Sequence, residues 1–592
     1  MMNHKISIML ILVVLTIAPH VNAATLKNDV RVVIDVSGSM KKSDPHNLRI
    51  PAIKLLNGLL PDNSDAGVWT FGRFVNMTVK WGKVDKAWRK RADKGAAKIH
   101  SNGLYTNIES ALSRSTRGWE KLDVNTRRSV ILLTDGRVDI SKDKEKNEAS
   151  RQAVLTQSIE KLKDSGARIH AIALSKDTDE TLLRQLALET DGSFEIAQSA
   201  EELQKIFFKL FERATDPDTI ELDGNQFTVD KSIKEMTLLV FRPKDSKPTI
   251  LYPPVGPKIS TQKKGESSWR SEDGFDLITI AKPVPGVWKI DAYVDADNRL
   301  MVVTDLTLNV SGVPAYTTPA QAVTIRAELH NKASKISKNS FLRFVAFELN
   351  HINDEDTENQ LALTHTNVRE DKGQYLHSLE DKLTEGRHSF IVTADSRTFS
   401  RSKRIYVEVQ WPVKVEIQST ATPGTYLLTV EAREEYLKPQ SLKPVVQIED
   451  PAGKQQALPL KQVSGVWQAE VKTGQDGIYK ALIKVSAESI AGQEQQHDLG
   501  AFSMIGVYLQ AGSEPQPEPH KTDDLNLEAT EASLPEAESE ESWMRIFIIA
   551  SAVNLLLILI GIAAVYAYRR NAKKMEFALD NDLVSDSDLS VD

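Results

Sequence analysis

The sequence predicts an α/β, doubly wound N-terminal domain followed by all-β, immunoglobulin-like sandwich modules and one transmembrane helix. Three observations carry that prediction. Short apolar runs alternate with helical patterns as far as about residue 215. Helical patterns nearly vanish after Thr219, and short strands separated by polar turns continue to about residue 510. A long uncharged apolar run stands close to the C-terminus.

In the first segment, "VRVVIDV", "AGVWTF", "RSVILLT", "ARIHAIAL" and "GSFEIA" suit buried parallel strands, which are apolar on both faces. Between them "NLRIPAIKLLNGLL", "NIESALSRSTRGWEKL", "ASRQAVLTQSIEKLKDSG" and "DETLLRQLALETDG" read as helices, and "AEELQKIFFKLFERA" closes the segment as an amphipathic one. Alternation of this kind predicts a parallel sheet covered by helices on both faces over residues 29–215. "KVDKAWRKRADKGAAK", 83–98, reads as a basic helix with a solubilising face.

The β-rich part divides into a module at 219–310 and sandwich modules at 311–411 and 412–510. A small repeat runs through it: "PGVWKIDAYV" from Pro285, "EGRHSFIVTA" from Glu385, "PGTYLLTVEA" from Pro423, "SGVWQAEVKT" from Ser464 and "DGIYKALIKV" from Asp476. A turn glycine followed by an aromatic that enters a strand resembles the corner of immunoglobulin-like sandwiches, where a Tyr ties a late strand to the preceding turn. The acidic strings "HINDEDTEN" at 351–359 and "VDADNRL" at 294–300 lack the spacing of a calcium loop and read as solvated hairpin loops.

Both ends carry address signals. Residues 1–23 have a basic start, the apolar run "ISIMLILVVLTIA" and small residues before Ala24, which predicts a signal peptide. Residues 513–542 hold four prolines and ten acids against Lys521, a composition that predicts a disordered acidic stalk. "IFIIASAVNLLLILIGIAAVYAY", 546–568, is long enough to span a bilayer. Arg569, Arg570, Lys573 and Lys574 follow at once, placing the tail 569–592 in the cytoplasm. The expected location is a single-pass membrane protein of the bacterial inner membrane with its N-terminal domains in the periplasm. The absence of cysteine in an exported chain favours that envelope over an animal cell surface.

Composition excludes several chemistries. With no cysteine there is no disulfide, thiolate nucleophile or thiolate-bound metal. A formal net charge of −7 gives no global basic field for nucleic acid. There is no H-E-x-x-H and no G-x-x-x-x-G-K-[ST], so neither a zinc protease nor an ATPase is expected.

Three separated strings supply oxygen donors: Asp35, Ser37 and Ser39 in "DVSGSM" after the first strand, Thr106 in "SNGLYTNIESAL", and Asp135 in "VILLTDGR". In an open parallel sheet such loops gather along the carboxyl edge of the strands. Two carboxylates with three hydroxyls form a hard, all-oxygen set suited to Mg²⁺ or Mn²⁺. None of these groups is a nucleophile or a poised base, so the expectation is a binding site and no enzyme.

These strings, in this order, resemble the von Willebrand factor type A domain and its metal-ion-dependent adhesion site, a likeness that extends to "GVWTFG" and "ARIHAIALS". The resemblance implies a divalent ion held by Asp35, Ser37, Ser39, Thr106 and Asp135, and a protein ligand that presents an Asp or Glu to it. The whole arrangement also resembles membrane-anchored type A proteins of Gram-negative bacteria. An alternative from another class makes the chain an accessory or scaffold subunit of a larger membrane complex, for transport, secretion or envelope maintenance, with the metal structural.

Overall fold

The computed structural model describes residues 26–506 apart from 63, 176, 244–245, 263–266, 273, 333, 354–368, 372 and 380–382. The expected signal peptide, stalk, span and tail lie outside the described residues, as does most of "HINDEDTEN". Among the described residues no helix is long and apolar enough to cross a membrane.

The first domain runs β1 (Lys27–Asp35), α1 (Met40–Ser43), α2 (Arg49–Leu59), β2 (Asp65–Phe71), β3 (Val75–Lys83), α3 (Lys86–Ala96), α4 (Ile108–Ser115), β4 (Thr126–Thr134), α5 (Lys144–Ala153), α6 (Ile159–Asp164), β5 (Ala167–Ala173), α7 (Glu180–Glu189), β6 (Ser193–Ile196) and α8 (Ala200–Thr215). Its sheet has the order β3-β2-β1-β4-β5-β6. All neighbours are parallel except the β2–β3 hairpin. Strand β1 buries both faces: Val30, Val32 and Ile34 join a cluster with α2, α3 and α8, while Val33 joins another with α4 and α7. The period-2 geometry of a strand makes this division necessary.

Local differences from the sequence reading have local causes. Strand β3 was not expected; its pairing with β2 shifts register twice, between Ala66 and Val68 and between Val68 and Trp69, which blurs the alternation. Helix α4 stops at Ser115 instead of continuing to 122. There Ser115 Oγ (3.2 Å) and Thr116 Oγ1 (2.7 Å) both donate to the Leu112 carbonyl, and Gly118 turns the chain at φ +88°. The helix expected over 149–166 contains a π turn at Val154–Ser158 between α5 and α6. Pro51 is tolerated in α2 because the first turn has no intrahelical acceptor for its missing N–H.

Beyond α8 the chain is β-rich. One nine-stranded sheet follows the path Ser268–Glu272, Phe275–Ala281, Ile233–Phe241, Arg299–Thr304, Asp218–Ile220, Ser400–Val409, Gly386–Asp395 and Ala346–Asn353, with Tyr316–Thr317 beside Ser400–Val409. It therefore runs across residue 310. Residues 413–506 form two four-stranded sheets around their own core. Three repeat glycines share one backbone angle: Gly286, Gly386 and Gly477 have φ of +131°, +133° and +134°. A Cβ at Gly286 would lie 2.9 Å from Pro254, and one at Gly477 2.6 Å from Pro451. In these three of the five repeat units the glycine marks a corner whose backbone angle favours glycine, while Gly424 and Gly465 turn at φ of +71° and +89°. At the last corner the Gly474 N–H donates to Tyr479 Oη at 3.1 Å, so the aromatic ties its strand to the preceding turn.

The two parts share a core. Leu239, Phe241, Phe275, Leu277 and Met301 of the β region belong to the same apolar cluster as α2 and α8. Phe208 on α8 meets Phe241 edge to face at 6.1 Å. Around this contact Lys205 Nζ pairs with Asp295 (3.1 Å) and Asp297 (2.9 Å), so two acids of "VDADNRL" hold a lysine of α8 instead of facing water alone. Glu212 accepts from Tyr406 Oη at 2.7 Å and stands 3.4 Å from Arg299. Burial raises the Glu212 carboxyl while Arg299 and the tyrosine hydroxyl pull it back.

Candidate metal centre

The chain runs outward from β1 through β2 to β3 on one side, then crosses back to β4 on the other side of β1 and continues outward to β6. The switch point between β1 and β4 opens a crevice at their carboxyl ends. Ile34 lies opposite Leu133, which sets Asp35 and Asp135 side by side just beyond the last paired residues.

Asp35 is fully buried. Its Oδ1 accepts from the Ser37 N–H (2.7 Å) and its Oδ2 from Thr134 Oγ1 (2.6 Å). Burial pushes its carboxyl up to about 6 against the pull of these donors, and nearby Asp135 adds to the rise. Ser37 Oγ and Ser39 Oγ are 2.9 Å apart, and Ser39 Oγ donates to Asp135 Oδ1 at 2.8 Å. A hydroxyl has one proton to give, so Ser37 is the donor of the serine pair. The Ser43 hydroxyl, on α1, donates to the other Asp135 oxygen.

The loop before α4 closes the site. Ser37 bridges to Gly103, whose N–H donates to the Val36 carbonyl at 2.7 Å. A Cβ at Gly103 would stand 2.6 Å from that carbonyl oxygen, which accounts for the glycine in "SNGLYT". Thr106 N–H donates to the Asp139 carbonyl (2.6 Å) and Asp139 N–H donates back (3.1 Å), tying this loop to the one that follows β4. Thr106 Oγ1 and Ser39 Oγ both face Gly136, 3.5 and 3.9 Å from where its Cβ would be. The structure therefore links Asp35, Ser37, Ser39 and Asp135 by hydrogen bonds and turns the Thr106 hydroxyl toward the same glycine, Gly136, that Ser39 faces.

Arg49 holds these loops together, and sequence reasoning missed it. Fully buried, it donates through Nε to Asp44 (2.5 Å), through one terminal nitrogen to the Asp35 carbonyl (2.7 Å), and through the other to Asn47 Oδ1 and Ser101 Oγ (both 2.7 Å). The available signal was a lone arginine inside the apolar helical pattern "NLRIPAIKLL". Ser43 and Thr134 were missed for want of any spacing rule.

The oxygen set fits a small hard cation. Six oxygens at 2.0–2.1 Å around one ion are separated along each octahedral edge by about 2.9 Å. The 2.9 Å between Ser37 and Ser39 and the 2.8 Å between Ser39 and Asp135 match that edge. Among the described residues no three carboxylate or imidazole side chains converge on one point. The remaining oxygens here are hydroxyls.

Residues 29–209 match the family model described as the von Willebrand factor type A domain. Among solved structures, the chain is similar to a von Willebrand factor type A protein from Catenulispora acidiphila, at 15% identity and TM-score 0.27, covering 51% of this chain and 62% of that one. It is also similar to proximal thread matrix protein 1 from the mussel byssus with a zinc-occupied MIDAS motif, at 20% identity and TM-score 0.26, covering 36% and 51%. A third is the ArnB paralog VWA2 from Sulfolobus acidocaldarius, at 14% identity and TM-score 0.25, covering 53% and 64%. The chain thus spans between half and two thirds of the length of these structures. No curated protein matches it. On the family match, the doubly wound domain at the start of this chain is a von Willebrand factor type A domain.

Proposed function

We propose that this chain is a membrane-anchored envelope protein whose type A domain captures a protein partner through a divalent ion and catalyses no reaction. Domains of this family often bind protein partners through such a metal site. The observation that supports the reading is the connected oxygen set at the sheet's switch point.

Asp35, Ser37, Ser39, Thr106 and Asp135 would hold Mg²⁺ or Mn²⁺. When bound, the ion supplies Lewis acidity toward a partner's Asp or Glu carboxylate. The three hydroxyls are neutral donors and cancel little of a cation's charge. Thr134 and the Ser37 N–H fix the Asp35 carboxylate from below, and Ser43 fixes Asp135 from the side. Immunoglobulin-like modules and the acidic stalk would hold the domain away from an inner-membrane span, on the periplasmic side.

The test is calorimetric titration of Mg²⁺ and Mn²⁺ into the full chain in detergent, beside Asp135→Ala. Saturable binding by the wild type and its loss in the variant is the expected outcome. Equal binding by both would refute the assignment.

A further inference from the structure

Phe74 and Leu104 stand in water, 71% and 68% exposed, on the two loops that frame the metal centre. The backbones of these loops touch. Asn107 N–H donates to the Gly72 carbonyl at 3.3 Å, and a Cβ on Gly72 would lie 3.1 Å from the Leu104 carbonyl oxygen. Leu104 is two residues before Thr106, and Phe74 is two after Gly72.

Between exposed Leu104 and buried Thr106 stands Tyr105, at φ +65°. A bulky residue in the left-handed region is unusual, and such positions concentrate where a surface is used. Here it divides an outward apolar side chain from an inward hydroxyl. The same rim is rich in cations. Lys41 and Lys42 follow Ser39 at one residue's remove, and Arg137 is two after Asp135; all three are exposed. Arg73, also exposed, has its guanidinium 5.7 Å from the Phe74 ring. Against them Asp139 and Asp143 are exposed acids on the loop after β4; Asp139 accepts from Asn147 Nδ2 at 3.3 Å, and Asp143 caps α5 by accepting from the Glu145 N–H at 3.0 Å.

We propose that Phe74 and Leu104 form an apolar seat beside the ion. Its occupant is a segment of a partner protein in which a carboxylate is flanked by an aliphatic or aromatic residue, within a stretch of net negative charge. This rests on the reading of the metal centre above and specifies the partner's chemistry. The apolar pair gains from being covered, and the cationic rim is complementary to an acidic segment.

The test uses full chain in detergent with Mg²⁺ and three fluorescent, C-terminally amidated peptides that carry no carboxylate except at the central position: one with Leu beside a central Glu, one with Ser in place of the Leu, and one with Gln in place of the Glu. The Leu–Glu peptide should bind about tenfold tighter than the Ser–Glu peptide, and the Gln peptide should lose magnesium-dependent binding. A Phe74→Ser/Leu104→Ser double variant should bind both Glu peptides equally while keeping the preference for Glu over Gln. Equal binding of the two Glu peptides by the wild type would overturn the apolar seat and leave the metal reading standing. Binding that ignores both magnesium and the Glu-to-Gln change would overturn the metal reading itself.

Discussion

Replacing Arg49 with Met tests whether one buried guanidinium organises the metal loops. The substitution keeps an unbranched apolar stem and removes four hydrogen bonds, to Asp44, the Asp35 carbonyl, Asn47 and Ser101. Breaking a buried ion pair from one side costs about 3–5 kcal/mol, because the remaining charge is stranded. Asp44 keeps two backbone donors, Leu48 N–H at 2.6 Å and Arg49 N–H at 3.3 Å, so its charge is not wholly abandoned. The expected loss is therefore near the lower end, about 3 kcal/mol, a large share of the ~5–15 kcal/mol typical of a folded domain. Urea unfolding of the full chain, followed by tryptophan fluorescence, measures it. Adding Asp44→Leu should recover part of the loss, since neither charge then remains. Hydrogen exchange at 35–49 and 99–106 should rise in the single variant more than elsewhere in the domain. A loss under 1 kcal/mol, or a double variant equal to the sum of both singles, would refute the argument.

Other perturbations follow from the same structure. Asp35→Asn removes a buried charge and should raise stability in chelator by about 1–3 kcal/mol while abolishing magnesium binding; thermal scans with and without chelator separate the effects. His170 is buried against Ser193 Oγ at 2.9 Å, and burial, with Arg213 and Arg168 nearby, pulls its pKa down to about 3. The folded state thus holds it neutral. Its contribution is complete above the unfolded value near 6.5 and fades as the pH falls toward 3, approaching ~1.4 kcal/mol per pH unit. Between pH 7 and pH 5 the wild type should lose about 2 kcal/mol more than His170→Asn, measured by urea midpoints; equal slopes would count against it. Tyr479→Phe deletes the hydroxyl that accepts from Gly474 N–H and should cost about 1 kcal/mol in thermal unfolding.

The legible parts of this protein are those encoded in short strings. "DVSGSM" and "LLTDG" each place their donors within a few residues of a strand end, so strand polarity alone brings Asp35 and Asp135 together. The corner glycines were legible because each turn imposes its angle locally. Arg49 was not, because its role exists only where three loops meet, and Ser101 is fifty-two positions away. The shared nine-stranded sheet was hidden for the same reason: Thr219 pairs with Ser402, and no local pattern announces a neighbour at that distance. "VDADNRL" looked solvated because the lysine it holds sits on α8, far upstream.

The apolar cluster that α2 and α8 share with the β region has a practical corollary. The stretch that a family model delimits, 29–209, is not a unit that can be cut free without injury. Truncation near residue 215 would uncover Phe208, deprive Gly58 of the Leu277 side chain that crowds it, and strand Lys205 and Glu212 without their partners. A fragment made that way would carry a raw hydrophobic wound on the flank of the domain and would tend to stick to itself. The family match ends at residue 209 while the apolar core continues into the β region, so any measurement on the fragment would be made on a destabilised domain.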